Sequence, residues 1–260
     1  MMPEITVIMS VFNGEDFLHS SINSILSQSF TNFEFIIADD ASTDSSLKIL
    51  EEFAINDKRI RLVNNEVNKG LTVTLNKCLD LARGEFIARQ DADDCSKPDR
   101  LLNFMKYKAD NDSVELYSTP AEVIDQSDKV YAIFPKYIVR YGFDVRILSY
   151  YNTLIHGTMI IRSSTMKALR YNELFRYAQD FEFYHRFLST GKSISYVSDN
   201  RDYQLRVHSN SISSNNMHRQ YLSVEKVLLA YRAKAYPWTN KNRVLFKFLE
   251  LYFFILKKVK

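Results

Sequence analysis

Residues 85–94 read Glu85-Phe86-Ile87-Ala88-Arg89-Gln90-Asp91-Ala92-Asp93-Asp94, an apolar run of strand length that stops at three carboxylates within four positions. Like charges this close raise one another's pKa and repel unless a cation or hydrogen-bond donors compensate. Asp91 and Asp93 lie two apart, and an extended backbone aims such a pair to one side. That suits a hard divalent cation and the hydroxyls of a ligand. A solvated acidic turn is the plain alternative, because short acidic clusters are common on surfaces. What flanks the stretch separates the two.

Upstream, strand and helix patterns alternate. Ile5 to Val11 reads as a buried strand that breaks at Phe12-Asn13-Gly14, where Asn and Gly permit a tight turn. Leu18, Ile22, Ile25 and Leu26 then fall at helical spacing. Phe33 to Ala38 is a second strand ending in Asp39-Asp40. Ala41-Ser42-Thr43-Asp44 supplies turn and N-cap chemistry before a helix bearing Leu47, Leu50 and Phe53. Arg61-Leu62-Val63 forms a third strand. After Asn68-Lys69-Gly70 a helix runs from about Thr72 to Ala82, and Gly84 reads as its left-handed C-cap. This alternation predicts a parallel sheet with right-handed crossovers, whose ligands sit beyond the carboxyl ends of the strands. The Phe12 turn, Asp39-Asp40 and Asp91-Ala92-Asp93 all fall at those ends, which favours a ligand site over a bare acidic turn.

The six glycines form no Gly-x-Gly-x-x-Gly and no Gly-x-x-x-x-Gly-Lys-[Ser/Thr], so a dinucleotide dehydrogenase and a P-loop nucleotidase are disfavoured. Two cysteines, Cys78 and Cys95, cannot build a disulfide framework, and reduced thiols in a cytosolic protein are expected. The N-terminus carries no signal-peptide pattern, and no window is apolar for the roughly 18 residues that a span needs.

Pro98 opens a further helix, Asp99 to Ala109, as a first-turn proline. Beyond it the alternation weakens. Two short strands fit between Tyr117 and Ile133, and four tyrosines between 137 and 151 suit either packing or stacking on sugar rings. His156-Gly157-Thr158 reads as a loop entering a strand. Gln179-Asp180 precedes a helix with Phe183, Phe187 and Leu188 on one face, where Asp180 is either a cap or a functional carboxylate. Tyr203 to Val207 is the last strand.

The net charge of +3 hides an asymmetry. From Met217 to Lys260 there are ten Lys or Arg against two Asp or Glu, so the rest of the chain is mildly acidic. Residues 241–260 are densely apolar, interrupted by Lys247 and Glu250 and closed by Lys257-Lys258-Val259-Lys260. The stretch fits an interfacial helix on anionic headgroups; a helix packed on the domain or into a homodimer is the alternative. Nucleic acid is disfavoured, since no basic patch is interleaved with stacking aromatics.

Several ordered motifs together resemble a family 2 inverting glycosyltransferase of GT-A fold. They are Val7 to Glu15, Ser24 to Phe30, Asp39 to Asp44, Asn68 to Leu71, Gly84 to Ile87, Asp91 to Asp94, Pro98 to Leu101, Gln179 to Glu182 and Arg206-x-His208-Ser209-Asn210-Ser211-Ile212-Ser213. The match covers about residues 3 to 215. The fold this implies is α/β, a mixed and mainly parallel sheet flanked by helices with a C-terminal helical extension. Residues 1–95 would be the nucleotide-binding half, 96–215 the acceptor half and 216–260 the basic, aromatic tail.

The resemblance also implies roles. Val11 and Phe12 would line the base and ribose pocket, with Asn13, Glu15 and Ala92 close by. Asp40 would accept a hydrogen bond from uracil, and Asp91 would face the ribose. Asp93 would hold the Mn²⁺ or Mg²⁺ that clamps the diphosphate. Arg206 and His208 would close over the diphosphate, with His208 approaching the metal. Asp180 matches the general base and His156 an acceptor-side loop. Two departures stand out. The family's frequent Glu-Asp pair is Gln179-Asp180 here, and the Gln-x-x-Arg-Trp motif of processive synthases is absent, so one sugar per encounter is expected.

The expectation is therefore a cytoplasmic, metal-dependent, inverting transferase at the inner face of the plasma membrane. It would move one sugar from a UDP-sugar to a saccharide acceptor held on a polyprenyl diphosphate. The rivals are a sugar nucleotidyltransferase, which normally leans on a glycine-rich N-terminal loop absent here, and a non-catalytic sugar-nucleotide-binding or scaffold protein.

Overall fold

The structure, a computed structural model, describes residues 2–149, 152–209 and 217–235. Its main layer is a seven-stranded sheet in the order β10-β6-β9-β4-β1-β2-β3. β1 (Ile5–Val11), β2 (Phe33–Asp39), β3 (Ile60–Asn64) and β4 (Phe86–Arg89) run parallel. Past β4, β9 (Ile160–Arg162) runs antiparallel between β4 and β6 (Leu116–Ser118), and β10 (Ile194–Tyr196) pairs parallel with β6. The α/β, mainly parallel architecture is thus the one the alternation predicts.

The central strands are apolar throughout because helices cover both faces. Successive residues point to opposite sides. Val7, Phe35 and Phe86 belong to the core on one face, and Ile8, Ile36 and Ile87 to the core on the other. The first core seats Leu18, Ile22 and Ile25 of α1 (Glu15–Leu26), Leu50 of α2 (Ser46–Asn56), and Leu101 and Phe104 of α4 (Arg100–Asp110). The second takes Leu75 and Leu79 of α3 (Leu71–Leu81), Met166 of α6 (Ser163–Leu169) and Phe183 and Phe187 of α7 (Gln179–Ser189). Each such side chain contributes about 1.5–3 kcal/mol through burial.

Several local expectations change. Gly84 is not a left-handed cap. A Cβ there would lie 2.5 Å from the Thr6 backbone nitrogen, so its task is to let the chain pass against β1. The left-handed residue of the first turn is Asn13 (φ 52°), not Gly14. Helix α4 starts at Arg100 with Asp99 at its cap, which leaves Pro98 just outside the first turn. Between Tyr117 and Ile133 the chain forms parts of three strands: β6, β7 (Ala121–Ile124) and β8 (Val130–Phe134). A second sheet, in the order β5-β11-β7-β8, joins β5 (Cys95–Ser96) and β11 (Tyr203–Arg206) to β7 and β8. The sequence shows the strand at Tyr203, but β5 is too short to show a period, and the pairing of these strands into a second sheet is not carried by any local pattern.

After α5 (Lys136–Tyr141), the last described helix is α8 (Met217–Ala235), which lies on α7. Val227 is fully buried in the core that α7 shares, and Tyr231 donates to Glu182 Oε1 at 3.1 Å. This first part of the tail packs on α7. The interfacial helix expected at 241–260, Trp238 and the motif residues Asn210 to Ser213 lie outside the described residues, as do Tyr150 and Tyr151. Among the described residues, no helix is long and apolar enough to cross a membrane.

Candidate active site

Parallel strands deliver their carboxyl ends to one edge, and the antiparallel β9 brings its amino end to the same place. Val11, Asp39 and Arg89 therefore close β1, β2 and β4 beside the 3₁₀ turn His156–Thr158 that enters β9, where Arg89 N donates to Met159 O at 2.9 Å. The acidic stretch lies at the middle of this edge.

Residues 91–94 form a turn closed by Asp94 N to Asp91 O at 3.4 Å, not an extended segment, so the three carboxylates separate. Asp91 (side chain 30% exposed) pairs with Arg89 at 2.5 Å. Asp93 (33% exposed) pairs with His208, whose Nε2 lies 2.9 Å from Oδ2. Asp94 is buried, taking Tyr203 OH at 2.8 Å and Arg206 N at 2.7 Å. Burial and then the neighbouring carboxylates Asp93 and Asp91 push Asp94 well above the usual aspartate range. For Asp91, burial raises the pKa, Arg89 opposes it, and the net direction is upward. One carboxylate of the three is thus structural, and two keep an open side.

A second tier holds this turn. Arg100, fully interior, donates to Gln90 Oε1, Ser96 Oγ, Arg89 O and Gly157 O. Gln90 Nε2 in turn donates to Asp94 O at 2.9 Å. Tyr203 reaches Asp91 N and Asp94 because residue 157 is glycine; a Cβ there would lie 2.0 Å from the tyrosine oxygen.

Across the cleft, Asp180 sits in the first turn of α7, with Ala178 at the cap position. Asn152 Nδ2 donates to Asp180 Oδ2 at 2.5 Å. Burial is the largest cause of a raised Asp180 pKa; the Phe181 backbone and Asn152 oppose it, and Asp91 adds to it. The Asp91 charge is the smallest of these contributions, which places it within electrostatic reach of Asp180. Tyr171 and Tyr184 both lie within the fields of Asp180, Asp91 and Arg89. His156 Nε2 lies 2.6 Å from Tyr171 OH. Burial, then the Arg89 charge, holds His156 well below its ordinary pKa, so its imidazole is neutral.

The remaining expected residues divide. Phe12, just past the end of β1, is 51% exposed, and Val11 is fully buried. Ala92 packs near Gly14 at the head of α1. Asn13 and Glu15 are turned to the loop after β2: Asn13 Oδ1 accepts from Thr43 N at 2.8 Å, and Glu15 Oε2 from Ser45 N at 2.9 Å. The Asp40 carboxylate is buried and takes Asn65 Nδ2, Lys69 N and Gly70 N, each at 2.8 Å, so it fastens the loop before α3. Arg206 does not point into the cleft. Its side chain is 1% exposed, donating to Asp93 O and Asp125 O and pairing with Asp128 at 2.6 Å. Sequence reasoning assigned no role to Asn152, Tyr171 or Arg89; for Arg89 alone a signal existed, a single cation closing an apolar strand ahead of three carboxylates.

Residues 6–181 match the family described as "Glycosyl transferase family 2". The chain belongs to that family. The glycosyltransferase is 33% identical over 235 residues to EpsE of Bacillus subtilis, named as a glycosyltransferase, a match covering 89% of this chain and 82% of that one. It is 36% identical over 135 residues to WcaA of Escherichia coli, named for colanic acid biosynthesis, covering 46% and 48% of the two chains. Among solved structures, Staphylococcus aureus TarS in complex with UDP-GlcNAc superposes with a TM-score of 0.73 at 21% identity, over 90% of this chain and 68% of that one. The mannosyltransferase PcManGT of Pyrobaculum calidifontis, bound to GDP-Man and Mn²⁺, does so with a TM-score of 0.67 at 17% identity, over 92% and 66%. At such identities these structures bear on the fold, which agrees with the GT-A-like expectation.

Proposed function

We propose that this glycosyltransferase moves one sugar from a UDP-sugar to a saccharide acceptor with inversion at the anomeric carbon. The observation that supports the reading is that Asn152, hydrogen-bonded to Asp180, lies on the loop leading into the His156–Thr158 turn, and that turn's end is bonded to β4 at Arg89, two residues before Asp91. Beyond burial, the Asp91 charge accordingly contributes to the raised Asp180 pKa. An inverting transfer is a single in-line displacement through an oxocarbenium-like state. It needs a carboxylate to take the acceptor hydroxyl proton on one side and compensation of diphosphate charge on the other.

In this reading the exposed ring of Phe12 stacks on the base, and Asp91, held by Arg89, accepts from the ribose. Asp180 takes the acceptor proton as its oxygen attacks the anomeric carbon, and the bond to the diphosphate breaks. For the metal, the donor set fits. Asp93 Oδ2 and His208 Nε2 lie 2.9 Å apart on the open side of the turn, offering oxygen and imidazole, a set suited to Mn²⁺ and tolerable for Mg²⁺. Among the described residues no group of three or more His, Cys, Asp or Glu is placed to hold a metal; Mg²⁺-like ions commonly take one or two protein ligands and complete their shell with phosphates and water. When bound, Mn²⁺ or Mg²⁺ would neutralise the departing diphosphate.

Surface-polysaccharide assembly is the proposed setting, supported by the likeness to a relative named for colanic acid biosynthesis. The acceptor would be a saccharide on a polyprenyl diphosphate at the cytoplasmic face of the plasma membrane. The apolar, lysine-closed sequence of residues 241–260 supports that placement. The test uses purified protein, Mn²⁺ and a panel of UDP-sugars with lipid-linked saccharides. Transfer that persists unchanged in both Asp93→Ala and Asp180→Asn would end this assignment.

A further inference from the structure

The Asp180 side chain is tied to a residue 28 positions away in the chain. Asn152 Nδ2 donates to Asp180 Oδ2 at 2.5 Å from the loop ahead of the His156 turn. The amide cannot be turned the other way round. Its oxygen would then face the oxygen of the ionised carboxylate that a base requires, two acceptors without a proton between them. With the NH₂ end fixed on Asp180, Asn152 Oδ1 is left buried with no partner among the described residues. Buried polar atoms without partners are rare, and this one is adjacent to the carboxylate that would meet the acceptor. Tyr184 OH, inside the Asp180 field, is a second buried atom without a partner.

We propose that Asn152 is the positioning residue of the base: its Nδ2 pins one oxygen of Asp180 and leaves the other to receive the acceptor proton. This follows the general pattern in which a proton-accepting group is oriented by a third side chain. A hydrogen bond to the ionised carboxylate also favours that form, against the burial that disfavours it. The other charged or titratable groups around Asp180 are Asp91 from the end of β4, Tyr184 on α7 and Tyr171 after α6, with Arg89 behind the tyrosines. None of these donates to its carboxylate among the described hydrogen bonds.

The inference about catalysis rests on Asp180 being the base, but its geometric core can be measured without turnover. In the full chain labelled with ¹³C-carboxyl aspartate, the Asp180 resonance is assigned by its loss in Asp180→Asn and titrated with neither donor nor metal present. Asn152→Ala is expected to move the midpoint upward by about half a pH unit or more. Asn152→Asp, nearly isosteric and so less disruptive to the loop, replaces the donor by a like charge and is expected to move it further. Midpoints unchanged in both variants overturn the inference. Turnover of UDP-N-acetylglucosamine or GDP-mannose with Mn²⁺ separates the two ideas. Full activity in Asp180→Asn defeats the base assignment, whereas a dead Asp180→Asn with unmoved midpoints defeats only the role of Asn152. An acid limb of the kcat profile that moves up in Asn152→Ala, with the donor KM unchanged, supports both.

Discussion

His208 Nε2 lies 2.9 Å from Asp93 Oδ2, joining residues 115 positions apart at the open side of the acidic turn. The contact exists because Phe17 of α1 seats the segment that carries His208. The His208 ring lies 4.8 Å from the Phe17 ring, and the Arg206 guanidinium sits 4.7 Å from the centroid of the same ring. His208 is therefore held beside Asp93 by packing against Phe17.

His208→Ala should raise the Mn²⁺ concentration needed for half-maximal turnover by about 10–100-fold, the range seen when a metal site loses a supporting group. Asp93→Ala should cost more, on the order of 10²–10³ in kcat. Both are read from a Mn²⁺ titration of donor turnover at saturating donor. An unchanged Mn²⁺ requirement in His208→Ala would remove it from the metal site.

The pH dependence follows from the direction of the Asp180 shift. A base works only when ionised, and the Asp180 pKa lies above that of an ordinary aspartate. The acid limb of kcat should therefore fall at a pH higher than a free aspartate would give, with activity lost as pH drops through it. Asp180→Asn should lower kcat by about 10²–10⁴ and abolish that limb. His156, already neutral, should add no limb between pH 6 and 8.

Arg206 is expected to reveal itself in stability. Removing its guanidinium leaves the Asp93 and Asp125 carbonyls and the largely exposed Asp128 without their donor. Arg206→Ala should lose about 2–4 kcal/mol, discounted for the solvent around Asp128. The urea midpoint should fall with little change in slope. Arg206→Lys, which keeps the charge but not the fork, should recover only part. A variant as stable as the parent but weak in donor KM would instead place Arg206 on the diphosphate.

Gly157→Ala should distort the site from beneath. The new methyl would lie 2.0 Å from the Tyr203 oxygen, and Tyr203 is fully buried and tied to Asp91 N and Asp94. Overpacking of this kind costs about 1–3 kcal/mol or more. Donor affinity and thermal midpoint should fall together, checked by calorimetry and nucleotide titration. Gly14→Ala, whose Cβ would meet Val11 and Ala92 at 3.6 and 3.7 Å, provides a milder control.

The chain order of apolar runs and turn residues determined the parallel half of the sheet, and with it which residues reach the catalytic edge. That was readable because a strand buried on both faces must be apolar along its whole length, as Ile5 to Met9 and Phe33 to Ala38 are. The motif Asp91 to Asp94 was readable as chemistry because clustered carboxylates need compensating partners, whereas Gln179-Asp180 read equally as a helix cap until the family resemblance singled it out. Tertiary structure alone decided which carboxylate did what. Three aspartates alike in sequence become an open pair and a buried strut only once Arg89, His208 and Tyr203 arrive from elsewhere. The same holds for Arg206, turned inward by Asp125 and Asp128, for Gly84, required by the nearness of Thr6, and for Asn152, whose partner lies 28 positions on. Periodicity encodes which face a residue shows, whereas partners set by loop closure depend on distances that no local pattern carries.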